Sequence, residues 1–215
     1  MALEAERQCR RRGSLLFTHS SRTRFAGRLN SGVSSHMSFS RLSEKAAENL
    51  VGIAVRCRNV APAASRTWNF NTSSLAAGVV LPLLEEVKEW SEPGLYLYSF
   101  QCTGDPDLTS TLNAFSTAKL RDTGLRSYAK PNTESSCLYV GGSKSIVSRL
   151  KQHLGYSAAK GTYSLQLLHW APPLNLDLAF SCARYGLEES QDVMQALEDT
   201  LWDVGRPMLG RRGAR

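Results

Sequence analysis

The chain has no apolar run near the ~18–20 residues that a membrane-spanning helix requires. The nearest approach, Leu75 to Leu84, is short and contains Pro82, so no membrane partner is expected. Cysteine is sparse: Cys9, Cys57, Cys102, Cys137 and Cys182 are odd in number, scattered and never in CxxC spacing. That argues against a zinc site or a disulfide framework and fits free thiols in a reducing compartment. An intracellular, cytoplasmic protein is expected. There is no internal repeat, and no helix-turn-helix or zinc-finger pattern marks a reader of DNA sequence.

Acidic residues are scarce at both ends. Residues 1–36 carry seven Arg against Glu4 and Glu6, and residues 206–215 carry four Arg and no acid. The net charge of +7 therefore comes from the tails, because residues 37–205 hold 15 Lys and Arg against 17 Asp and Glu. Such basicity is weak evidence for nucleic acid on its own. Within the body the charge is polarised. Residues 119–160 are basic (Lys119, Arg121, Arg126, Lys130, Lys144, Arg149, Lys151, Lys160), and residues 161–205 set Arg184 against seven acids that include Glu198. This order suits a site that holds a polyanion and a metal, but on charge alone it is better read as two solvated surfaces of opposite sign.

The length of 215 residues predicts one ordinary domain with appendages. Residues 1–36, rich in Arg and Ser, read as a disordered basic tail, an organellar presequence, or a start assigned too early with Met37 as the true one. Residues 37–92 read as an N-terminal helical subregion. Ala46, Leu50, Ile53, Ala54 and Cys57 recur at helical spacing, and Pro82 opens a second helix with Leu83, Leu84, Val87 and Trp90 on one face. Residues 59–75 between them are polar and irregular. Strands are expected at Leu95 to Phe100, Leu138 to Val140, "YSLQLLHW" and "LDLAFSCARYG". Helices are expected after Asp107, from Lys144 to Leu154, and after Ser190.

The densest motif is "CLYVGGSKSIVSRLKQH", Cys137 to His153. It is not a nucleotide-binding P-loop, because Ser143 precedes Lys144 and Leu138 occupies the place of the earlier Gly. What remains is a turn delivering the chain into a helix N-terminus, with Arg149 and His153 four residues apart on one face, beside the apolar stripe Ile146, Val147, Leu150 and Leu154.

"GLY" (Gly94 to Tyr96) and "YVG" (Tyr139 to Gly141) each put a tyrosine on a strand near a glycine. Followed by Arg149, His153, Glu198 in "QALEDTLWDVGRPMLGRRG", and Pro207, the set resembles the GIY-YIG nuclease family over about residues 94–213. Two features depart from it: 42 residues separate Tyr96 from Tyr139, with an insert at about 103–136, and Gly210 stands where the family often has Asn.

The resemblance implies an α/β domain over 93–215 with a small, mainly antiparallel three-stranded sheet flanked by helices. It implies a metal-dependent DNA endonuclease. Tyr96 and Tyr139 would flank the attacking water, Arg149 helped by His153 would bind the scissile phosphate, and Glu198 would hold one Mg²⁺ or Mn²⁺. Lys144, Lys151 and Arg211 are candidate nucleic-acid contacts. A catalytically silent nucleic-acid-binding module of the same fold, and an interaction protein whose Tyr and Glu are core margins, are the rival readings.

Overall fold

The computed structural model describes residues 41–77, 79, 81–157 and 161–213. The readings placed on residues 1–36 and on Lys160 lie outside them. The described residues belong to one unit, Ser40–Arg215.

Four strands form one antiparallel sheet: β1 (Ala64–Asn71), β2 (Leu95–Cys102), β3 (Cys137–Ser143) and β4 (Asp177–Tyr185), in the order β1-β4-β2-β3. The expected three-stranded sheet is thus one strand short. The extra strand, β1, lies in the stretch read as irregular. It is an edge strand with one fully buried side chain, Trp68, so it lacks the apolar alternation that marks a half-buried strand.

β2 is central, and its side chains alternate between two packed faces. Tyr96, Tyr98 and Phe100 face one core. There Phe100 lies 4.8 Å from Phe180, Phe180 stacks on Trp68 at 5.7 Å, and Trp68 meets Trp90 edge-on at 5.2 Å. α2 (Pro82–Trp90) and α4 (Ile146–Leu154) cover this face with Leu83, Leu84, Val87, Ile146, Leu150 and Leu154. α5 (Gln191–Gly205) packs mainly on β3 from the opposite side, burying Val193 and Met194.

Local signals explain the helix ends. Asp107 caps α3 (Leu108–Arg121) by accepting from Ser110 N at 2.9 Å, and Ser190 caps α5 through Val193 N. Gly155, in the left-handed conformation, ends α4. "YSLQLLHW" is not a strand. Gln166 takes φ 55°, and Leu167–His169 form a 3₁₀ turn, which breaks the extended run. The N-terminal subregion is not purely helical, since it contains β1. Its first helix, α1 (Leu42–Asn59), rests on α5 with no fully buried residue; Leu50 is 67% exposed. Among the described residues no helix is long and apolar enough to cross a membrane.

Candidate active site

The antiparallel register of β2 and β3 sets Tyr98 opposite Gly141 and Phe100 opposite Tyr139. Tyr98 and Tyr139 are diagonal neighbours on one face, with rings 6.2 Å apart and 14° from parallel. Gly141 makes room for them. A Cβ there would lie 2.8 Å from Tyr98 Oη and 3.0 Å from Tyr139 Cε1.

α4 brings Arg149 and His153 onto the same pair of rings, one turn apart. Arg149 Nε donates to Tyr98 Oη at 2.8 Å, and Nη2 donates to Tyr139 Oη at 3.0 Å and to the Tyr163 carbonyl at 2.7 Å. Nη1 donates to Gln152 Oε1 at 2.8 Å. One guanidinium therefore fixes both phenols. His153 is fully buried, with Nε2 3.0 Å from Tyr98 Oη. The Leu165 N–H donates to its Nδ1 at 3.2 Å. A backbone N–H can only donate, so Nδ1 is the acceptor, Nε2 carries the hydrogen, and His153 donates to Tyr98.

Of the residues singled out in the sequence, Tyr139, Arg149 and His153 meet directly. Tyr96 does not join them. It lies two residues along β2, its ring near Trp90 at 6.0 Å, and its hydroxyl donates to the Glu92 carbonyl. Tyr98 occupies the place expected for Tyr96. His153 lies behind Tyr98, away from the surface, so it orients the phenol and has no path to a phosphate.

Glu198 comes from α5 on the opposite side of β3 and reaches the same edge. A Cβ on Gly142 would lie 2.7 Å from Glu198 Oε2. The adjacent glycines thus serve different partners, Gly141 the tyrosines and Gly142 the carboxylate. Tyr98, Tyr139, Gly142, Ser143, Arg149 and Glu198 line one cleft of about 370 Å³. Lys144 borders an adjoining hollow beside Glu189 and Glu198, and Lys151 is exposed on α4.

The departure at Gly210 has a steric reason. Its φ is +115°, and a Cβ would sit 3.0 Å from Tyr139 Cε2 and 3.2 Å from Trp202 Cζ3. The insert supplies an asparagine at this corner: Asn132 Nδ2 donates to the carbonyls of Pro207 at 3.1 Å and Gly210 at 3.3 Å. Sequence reading missed Asn132 and Tyr98. A second tyrosine on the same face of β2 was the available signal for Tyr98.

Burial raises the pKa of Tyr98 and Tyr139 above the usual phenol value; the neighbouring guanidinium of Arg149 pulls both back and Glu198 adds to the rise. Both are phenols at neutral pH. Burial, reinforced by Arg149, holds His153 well below the usual imidazole value, so it is neutral.

No group of three or more His, Cys, Asp or Glu placed to hold a metal occurs among the described residues. Glu198, half-buried at the cleft with its carboxylate oxygen over Gly142, fits a hard divalent ion bound by one carboxylate and completed by water and substrate oxygens.

Comparison with known proteins returns no match among family models, curated proteins or solved structures.

Proposed function

We propose that the protein is a metal-dependent endonuclease that hydrolyses phosphodiester bonds in DNA, working as the resemblance to GIY-YIG nucleases implies. The observation that carries this reading is one guanidinium, Arg149, holding two tyrosine hydroxyls in a cleft that Glu198 shares.

Each group has a task suited to its surroundings. Arg149 is a fixed cation beside the cleft, placed to bind the scissile phosphate and stabilise charge building on its oxygens. Tyr139 is only half-buried and faces the same space, so its hydroxyl orients the attacking water, and it is the phenolate form of this residue that takes the water's proton. Tyr98 is almost wholly buried and fixed by Arg149 and His153, so its hydroxyl positions the guanidinium. Glu198 would hold a divalent ion, which would supply charge neutralisation for the reaction. Burial raises the Tyr139 phenol, and the positive charge of Arg149 offsets part of that rise, which favours the phenolate the reaction needs.

The test is cleavage of supercoiled plasmid and of a branched synthetic duplex by the full chain in Mg²⁺, Mn²⁺ or EDTA, beside Glu198→Ala. Metal-dependent cleavage lost in the variant supports the reading. Equal activity in both proteins overturns the assignment of Glu198. DNA binding without cleavage, unchanged by Glu198→Ala, supports the silent binding module instead.

A further inference from the structure

On the far side of Tyr139 the cleft continues into a hollow of about 410 Å³, bordered by Lys119, Lys130, Arg149, Tyr163 and Arg211, with Glu198 at the join. Four cations converge here against one carboxylate. Two of them, Lys119 and Lys130, come from the insert at 103–136, and Lys119 donates to the Ala129 carbonyl at 2.8 Å. Tyr163 differs from the buried tyrosines of the core: it is 58% exposed, while Tyr96, Tyr98 and Tyr128 are buried. The main chain that carries it is nevertheless held, because the Tyr163 backbone carbonyl accepts from Arg149 at 2.7 Å. The guanidinium carbon of Arg211 lies 5.8 Å from the centre of its ring.

We infer that Tyr163 and Arg211 form a stacking platform for an unpaired nucleotide next to the phosphate bound by Arg149, so that the substrate class is single-stranded or branched DNA rather than continuous duplex. The inference rests on the proposed nuclease reading only for the position of the phosphate.

The chemistry follows from geometry. A base presents its flat face to an exposed ring only when it is out of the duplex stack, and aromatic platforms among cations are the means by which single strands are held without sequence readout. The ring and the phosphate-binding guanidinium are tied by one backbone bond, so base and phosphate would belong to the same or adjacent nucleotides. Lys119 and Arg211 add positive charge within mutual range: Lys119 has its pKa lowered by burial first and then by repulsion from Arg211. An anion entering the hollow relieves that repulsion. This also gives the insert a task, supplying cations to the site's rim.

The test is binding of the protein to a fluorescein-labelled oligothymidylate and to a labelled blunt-ended duplex with the same number of nucleotides, by anisotropy in EDTA at one salt concentration. The basic tails are present in every variant, so ratios between variants isolate the platform. The expected result is tighter binding to the single strand, a loss of about tenfold on Tyr163→Ala for the single strand alone, and recovery in Tyr163→Trp. Unchanged duplex binding by Tyr163→Ala serves as the control for folding. Equal affinity for both substrates, an equal loss on both, or no loss on either overturns the inference. Because the readout is binding without metal, failure of the nuclease reading leaves the result interpretable. Conversely, efficient cleavage of uninterrupted duplex that survives Tyr163→Ala overturns the platform and leaves the nuclease reading standing.

Discussion

Two tyrosines of β2 compete for one role, and replacing each by Phe separates them. Tyr98→Phe removes an oxygen that accepts from Arg149 Nε at 2.8 Å and lies 3.0 Å from the protonated Nε2 of His153. The His153 donor is fully buried and has no water to turn to, which costs about 1–3 kcal/mol. Arg149 is half-buried and can partly resolvate, which adds about 1 kcal/mol. The sum is about 2–4 kcal/mol. With a urea m-value of about 2–3 kcal/mol/M, the unfolding midpoint falls by about 1 M with m unchanged. Because Arg149 loses the bond at Nε, one of its four, and can tilt away from the phosphate, cleavage on the proposed reading falls about 100-fold or more. Tyr96→Phe loses only the bonds to the Glu92 backbone, about 0.5–1.5 kcal/mol, and cleavage stays within about threefold, the scale expected when no group touching substrate is altered. Urea unfolding and plasmid cleavage measured on both variants decide the matter. Abolished cleavage in Tyr96→Phe with full activity in Tyr98→Phe would refute the assignment of Tyr98 and restore Tyr96.

Gly142→Ala pushes its methyl into the space of Glu198 Oε2, 2.7 Å away. A flexible carboxylate moves aside at small cost, so thermal unfolding changes little while the Mg²⁺ concentration needed for half-maximal cleavage rises about tenfold or more. Gly210→Asn, which restores the residue the family often has, is expected to destabilise by about 1–3 kcal/mol, because φ is +115° and the Tyr139 ring is 3.0 Å away; urea unfolding measures it. The depressed pKa of His153 makes stability fall as pH drops below about 6.5, where the unfolded chain takes up a proton that the folded protein refuses, at up to about 1.4 kcal/mol per pH unit until the folded value is reached. His153→Gln should flatten that slope in denaturation series between pH 7 and 5. On the proposed reading, the raised phenol of Tyr139 should make the cleavage rate rise with pH toward the alkaline side, and Arg149→Lys, which cannot span both hydroxyls, should displace that rise.

What could be read in advance depended on how far apart the cause and the consequence lie in the chain. Pro82, Asp107, Gly155 and Ser190 act within one helical turn of themselves, so the helices they bound could be placed. Arg149 and His153 share a helix with the strand of Tyr139 just before it, and their meeting follows from local spacing. β1 could not be read, because its stability comes from pairing with β4 more than a hundred residues away and only Trp68 marks it as buried. Tyr98 went unread for the same reason. Both point to one face of β2, and only the register against β3 selects between them. A glycine beside a tyrosine in the sequence is a poor guide to that register. A glycine opposite a tyrosine across the sheet is the better one, because Gly141 leaves the space that the Tyr98 hydroxyl fills. Asn132, Lys119 and Lys130 show the wider form of the argument. They sit in an insert that looked like a departure from the resemblance, and folding returns all three to the margin of the cleft. A long insert between two site-forming strands is therefore a place to look for site residues, because its ends are tethered at the site and its closure entropy grows only slowly with length.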